Sequence, residues 1–378
     1  MPVINPLTEQ ITRRITLEGP LSFEDFMEMA LYFPGLGYYT KEATIIGRAG
    51  DFYTSPHLHP LFGAMIGKQM EEMWHLLNRP AEFYVIEMGA GLGYLAKDML
   101  EYLKMREIYE SLHYVIVELN PSVKISQGLL LKEFTGKIKW FDRLTDIGPI
   151  TGCFLSNELL DAFPVRLVEM EKSLQEIYVS VNGENEFTEI KKPCRREVKK
   201  YFKEFAIDIP SVMESGYRTE VNLRIKEWLR EISEILERGF VLTVDYGYSA
   251  EDYYSRERNR GTLLCYRQHQ VIENPYINIG NQDMTAHVNF SALKKWGEEH
   301  DLSTIGFAPQ GSYLMSLGID EVMADMPELI SDVLDIPKIK GLLLPEGMGE
   351  SHKVMIQYKG REEVQLRGFA LRNRMKYL

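Results

Sequence analysis

Apolar positions recur along the chain with two different periods, and the change from one to the other comes near residue 82. Residues 1–80 read as mostly helical. Leu61, Met65, Met70, Met73 and Leu77 approximate one face of an α-helix. Another helix opens at Leu21–Asp25 and runs through Tyr32, with Ser22 and Asp25 spaced as a capping box. Phe33–Pro34–Gly35–Leu36–Gly37 and Gly50–Asp51–Phe52–Tyr53–Thr54–Ser55–Pro56 are rich in helix breakers and read as loops.

From residue 82 onward, short apolar runs alternate with helical stretches. Phe83–Met88, Tyr114–Glu118, Ile138–Phe141, Cys153–Ser156 and Gly239–Asp245 predict buried strands. Tyr94 to about Met105 predicts a helix, and Pro121 starts another at its first position. Such alternation implies a parallel sheet covered by helices on both faces. Two stretches interrupt it. In the first, about 165–237, Val165–Met170 and Glu176–Val181 read as strands, and 194–206 and 219–237 as helices. The second of these helices carries an apolar stripe, Val221, Ile225, Trp228, Leu229, Ile232, Ile235 and Leu236, and Gly239 is placed to cap it. The other interruption, about 250–290, is rich in Tyr, Asn and Gly. A helix near 290–300 and strands at Leu302–Phe307 and Lys353–Tyr358 close the pattern. The expected organisation is an N-terminal helical region (1–80), an α/β core (81–360) with a doubly wound, Rossmann-like sheet and two insertions, and a C-terminal tail (361–378).

Composition narrows the function. With 378 residues, 45% hydrophobic and 26% charged, the chain is globular rather than disordered. No apolar run reaches the roughly 20 residues of a membrane helix, so no membrane insertion is expected. A net charge of −12 argues against nucleic acid as a partner. Cys153, Cys194 and Cys265 are odd in number and widely spaced, which suits neither a disulfide framework nor a zinc site. The opening MPVINPLTEQITRRI has no apolar signal core and does not read as an organelle presequence. A cytoplasmic protein is the expectation.

One turn carries chemistry. Glu87-x-Gly89-Ala90-Gly91-x-Gly93 follows a strand and opens a helix. Glycines there allow positive φ and close approach to a ligand, and the helix start offers free N–H groups. A dinucleotide fingerprint needs G-x-G-x-x-G, and here the third glycine falls one residue early, which argues against a nicotinamide dehydrogenase. The spacing suits S-adenosylmethionine, which has no pyrophosphate. Glu118, with Leu119 beside it, ends the second strand, where an acid accepts from ribose hydroxyls. Trp140, Phe141 and Asp142 end the third, where an aromatic stacks on adenine and Asp142 accepts from its amine.

Several separated motifs now fall into order: Gly50–Pro56, Glu87–Gly93, Ser156–Asn157–Glu158–Leu159–Leu160–Asp161–Ala162–Phe163–Pro164–Val165, Asp245–Tyr246–Gly247, Gly261–Thr262–Leu263 and Asp283–Phe290. Together, over about residues 22 to 310, they resemble the S-adenosylmethionine-dependent methyltransferases that include the mitochondrial arginine methyltransferase needed for assembly of respiratory complex I. The resemblance implies a class I methyltransferase fold and S-adenosylmethionine as cofactor. It also implies a loop carrying Asp51, Thr54 and Ser55 over that cofactor, and suggests a protein arginine as acceptor. Residues 57–60 depart from the pattern, reading His-Leu-His-Pro where the family usually carries a Glu. The absent presequence suggests a prokaryotic-type member.

Methyl transfer is a direct displacement at a sulfonium methyl and needs in-line positioning rather than a metal. An arginine acceptor cannot be deprotonated beforehand, so carboxylates must orient it. Glu158 and Asp161 follow the fourth strand at the ligand-binding edge, and would share one face if helical. Asn157 is placed to bind the methionine part of the cofactor, Asp245 ends the fifth strand as a second acid, and His287 is the candidate base for a hydroxyl acceptor. His57-x-His59 lacks further ligands for a metal. Lys191, Lys192, Arg195, Arg196, Lys199, Lys200 and Lys203 read as a solvated face or as a docking patch for an acidic partner. The acceptor is a protein or a small molecule taking the methyl on N or O. A non-enzymatic assembly factor retaining the fold is the third reading, and a homodimer is one option for assembly.

Overall fold

The apolar runs that follow residue 82 become strands because nearly every side chain on them is buried on one face of the sheet or the other. The computed structural model describes residues 5–41 and 55–378. Among these, the chain divides into two compact units. One gathers residues 55–160, 226–247 and 293–378; the other gathers 5–41, 161–225 and 248–292. This partition differs from a cut at residue 80, because the first two helices and helix Leu61–Leu76 fall in different units.

In the first unit the strands are β1 (Phe83–Met88), β2 (Leu112–Val117), β3 (Ile138–Phe141), β4 (Ile150–Asn157), β5 (Leu236–Tyr248), β6 (Ser303–Pro309) and β7 (His352–Lys359). Their order across the sheet is β6-β7-β5-β4-β1-β2-β3. β1 to β5 run parallel, while β7 lies antiparallel between β5 and β6. The order reverses between β1 and β4, which opens a crevice at the carboxyl ends of those two strands. Helices α1 (Leu61–Leu76), α2 (Tyr94–Leu103) and α3 (Pro121–Leu130) belong to this unit. Met65, Met70, Met73 and Phe62 of α1 join Leu95, Met99 and Leu103 of α2, with Val85, Tyr114 and Cys153 of the sheet, in one core. α1 and α2 approach closely at two glycines. A Cβ at Gly63 would lie 2.5 Å from Asp98 Cβ, and one at Gly67 would lie 2.9 Å from the Tyr102 ring. The C-terminal stretch is packed rather than loose: Leu366 and Phe369 are buried, and the Phe369 ring meets Tyr313 at 5.3 Å.

In the second unit, helices Pro6–Glu18 and Phe23–Tyr32 pack on the strands Arg166–Met170 and Leu174–Val181 through Leu7, Ile11, Phe23, Phe26, Leu167 and Ile177. The Ser22 hydroxyl accepts from Asp25 N and donates to its carboxylate, so Ser22 caps this helix. Leu21–Ser22 pairs with Val179 and Tyr178. Phe187–Pro193 and Arg218–Val221 complete that sheet, and Leu264–Arg267, Gln270–Ile272 and Asp283–Thr285 form a smaller one.

Two expectations are corrected. The stretch 219–237 is not one helix: Arg218–Val221 is a strand, and the helix is Arg224–Ile235. Thr219 and Val221 are β-branched, and Val221 is buried in the sheet rather than on the helix stripe. Gly239 does not cap that helix either. It lies within β5 at φ +144°, where any Cβ would strike the backbone of Gly152 on β4.

Candidate active site

The glycine turn holds Gly89, Gly91 and Gly93 at φ +70°, +53° and +90°. These left-handed conformations explain why glycine recurs there. A Cβ at Gly89 would sit 2.9 Å from Leu159 Cδ1 of the turn after β4, so the two turns meet. Gly93 N donates to Ala90 O at 2.8 Å and Gly93 then starts α2. Glu87 does not point at solvent. Its carboxylate is buried and accepts from Tyr114 OH at 2.7 Å; burial pushes it up to about 7, and the Tyr114 bond opposes that shift.

At the end of β2, Glu118 accepts from Asn120 N at 2.8 Å. Burial raises its carboxyl, with the N–H groups of Asn120 and Leu119 acting in the other direction. Leu119 itself is exposed. Asn120 caps α3 by accepting from Ser122 N. Phe141 ends β3 half-buried, and Asp142 is exposed and paired with Lys124, which holds its carboxyl low. One residue that sequence reasoning missed ties these parts together. Gln127, fully buried on α3, donates to Gly91 O at 2.8 Å and accepts from Trp140 Nε1 at 2.9 Å. A glutamine among apolar helix positions was the available signal.

The second part of the site surrounds the end of β4. Asn157 is buried, and its Oδ1 has no hydrogen-bond partner among the described residues. Glu158 adopts φ +49°, a costly conformation for a residue with a side chain, and its N donates to Val244 O at 2.8 Å. Its carboxylate accepts from Ser55 N at 3.3 Å, with Asn157 Nδ2 at 3.4 Å and His352 Nε2 at 3.6 Å. Ser55 is held in turn, its hydroxyl lying 3.1 Å from Gln310 Oε1 and 3.2 Å from Met348 Sδ. His57 stacks edge-on with Tyr94 at 5.1 Å; burial lowers its imidazole, against the charge of Glu158. His59 faces elsewhere: its Nδ1 accepts from Leu61 N, and its Nε2 lies 3.7 Å from Asp335. Asp51 and Thr54 lie outside the described residues.

Asp245 is fully buried, and its two oxygens accept from Leu160 N at 3.0 Å and Tyr246 N at 2.9 Å. It thereby ties down the turn after Glu158. Glu158 and Asp161 do not share a helical face. The chain turns left-handed at Glu158, and a short 3-10 segment, Leu160–Ala162, begins after it. Asp161 belongs to the other unit, where its carbonyl accepts from Ala286 N at 2.9 Å. Near it, burial and then the charges of Asp283 and Asp161 push the Tyr32 phenol up. His287, also in that unit, stacks on Tyr248 at 5.2 Å, and its N donates to Thr262 Oγ1 at 3.0 Å. Three residues of the basic stretch are engaged locally: Lys191 with Glu169 and Glu171, Arg195 with Glu176, and Lys192 over the Tyr178 ring.

The chain is similar to known proteins. Residues 65–308 match the family described as "Putative S-adenosyl-L-methionine-dependent methyltransferase". The mitochondrial protein arginine methyltransferase NDUFAF7 of Danio rerio is 27% identical, covering 91% of this chain and 85% of its own. The Drosophila melanogaster homolog is 26% identical, covering 82% and 74%. A crystal structure from Burkholderia thailandensis, described as a "likely methyl transferase" and bound to S-adenosyl-homocysteine, is 29% identical and covers 100% of both chains with a TM-score of 0.89.

Proposed function

We propose that the methyl acceptor of this chain, which belongs to the S-adenosyl-L-methionine-dependent methyltransferase family, is a nitrogen of a protein arginine. The residues present fit the cofactor. Three left-handed glycines leave the turn after β1 open to close approach, and Glu118 stands at the end of the neighbouring strand. The buried, unpartnered Asn157 Oδ1 is an acceptor suited to an ammonium donor. When bound, S-adenosylmethionine supplies a methyl group already activated by its sulfonium.

Glu158 carries the acceptor reading. Its carboxylate side chain is 9% exposed and held by the Ser55 N–H at the carboxyl edge of the sheet. A guanidinium offers donors in a fixed fork and stays charged at any physiological pH. Glu158 can therefore orient it and offset its charge while the methyl arrives, which is electrostatic preorganisation. The relatives named protein arginine methyltransferases support this reading. The three free, buried cysteines suit the reducing compartment expected for a cytoplasmic enzyme.

Total protein from cells lacking this chain, incubated with the enzyme and methyl-tritiated S-adenosylmethionine, is expected to yield labelled methylarginine on acid hydrolysis. Glu158→Gln is expected to lower that yield by about 100-fold or more, while S-adenosylhomocysteine affinity by calorimetry changes little. Label confined to small molecules, or full activity in the variant, would sink the arginine reading.

A further inference from the structure

The sheet edge that carries Glu158 holds a second polar group with no part in the reaction so far. His352 opens β7 and is 7% exposed. Its Nδ1 lies 3.1 Å from Ser351 Oγ, and Ser351 Oγ donates to Gly347 O at 3.4 Å. A hydroxyl has one hydrogen to give. When Ser351 gives its hydrogen to Gly347 O, it accepts from the ring, and we assign the imidazole hydrogen to Nδ1 on that ground. That leaves a lone pair on Nε2. This atom is buried, has no hydrogen-bond partner among the described residues, and stands 3.6 Å from Glu158 Oε1. Two proton acceptors thus face each other across a gap slightly too long for a hydrogen bond, with no hydrogen between them.

The groups around the pair leave that gap alone. Tyr246 of β5 presents its ring to His352 at 5.6 Å. Lys353 turns its ammonium to the carbonyls of Glu350 and Ser351. Ser55 N and Asn157 Nδ2 approach Glu158 Oε1, and His57 of the segment Ser55–Leu58 feels the Glu158 charge.

We propose that Glu158 and His352 form a proton-accepting pair that takes up the proton released when the acceptor nitrogen is methylated. This rests on the acceptor reading above. As the N–C bond forms, the C–S bond breaks, and its electron pair stays on sulfur to give a neutral thioether. The methylated nitrogen then carries one hydrogen too many to return to a planar guanidinium. That proton passes to Glu158 Oε1 and is shared with His352 Nε2, closing the gap, until water carries it off. A carboxylate alone is a weak base, whereas an imidazole titrates near neutrality, so the pair is the better sink. His352 acts through Glu158 and is a positioning residue. A proton placed on the pair beforehand blocks this step, so the rate is expected to fall toward acid.

The first test needs no turnover. In 15N-histidine-labelled protein at neutral pH, the His352 ring, assigned by its loss in His352→Gln, is expected to carry its hydrogen on Nδ1 and none on Nε2. The opposite tautomer overturns the pair. The second test measures methylarginine formation on total protein from cells lacking the chain. His352→Gln retains a polar side chain but takes no proton. It is expected to lower kcat about 10- to 100-fold, leave KM for S-adenosylmethionine unchanged and flatten the acid limb of the pH–rate profile. S-adenosylhomocysteine calorimetry shows that the variant is folded, and His352→Asn replaces it if it is not. Wild-type kcat and an unchanged acid limb overturn the pair and leave the arginine reading standing. No methylarginine from the wild-type enzyme sinks the acceptor reading and the pair together.

Discussion

Glu87 shows how much one buried carboxyl can impose on a protein. Wholly enclosed and bonded by Tyr114, it is pushed up to about 7 by burial. The folded state therefore holds a proton that the unfolded chain releases near the ordinary carboxylate value of 4.5. Stability from this group is full below that value and is lost as pH rises toward and through about 7, a difference of up to about 3 kcal/mol. Asp98 on α2, also raised to about 7 by burial, titrates in the same direction. The comparison is accordingly between wild type and Glu87→Gln at each pH. The variant is expected to gain thermal stability relative to wild type between pH 5 and pH 8, and an equal difference at both ends would refute the burial account. Residues such as Asn157 and Glu158 are legible in sequence because they directly follow a strand run. His352 and Gln127 are not, because their partners lie on other elements and no local period marks them. The expected helical face of Glu158 and Asp161 failed for a local reason, the left-handed turn at Glu158.

Elements meet where side chains allow them to. Gly63 and Gly67 lie one turn apart on α1, and their missing side chains let α2 close in on it. Gly67→Val puts branched carbon against the Tyr102 ring and Met99, and is expected to cost about 1–3 kcal/mol through overpacking, read as a shift of the urea midpoint. A variant with the wild-type midpoint would mean that the two helices separate freely. The strands of the core were legible because short apolar runs bounded by breakers have few other uses. The helix at 224–235 was legible in its stripe but not in its start, since the apolar period ran on into residues that a neighbouring strand claims.

At the scale of the whole chain, contiguous sequence misleads. The unit containing the N-terminal helices pairs Leu21–Ser22 with Val179 and Tyr178, and ties Glu24 to both Arg166 and Arg224. No composition shift marks such a union of distant segments. Glu24 is 8% exposed and accepts from Arg166 Nε at 2.8 Å and Arg224 Nε at 2.6 Å. Removing it leaves the largely buried Arg166 guanidinium short of a partner. Glu24→Ala is expected to cost about 2–4 kcal/mol, less than a fully buried pair because Arg224 is partly solvated. Calorimetric unfolding checks this, and an unchanged melting temperature would show that the two arginines find other acids.

β7 is the last strand among the described residues, yet it lies between β5 and β6. Until the ribosome has delivered residues 352–359, β6 has no described neighbour to pair with and β5 has an open edge. The histidine beside Glu158 arrives on that same strand. Closure of this side of the sheet therefore waits for residues 352–359, and with them comes the ring that faces Glu158.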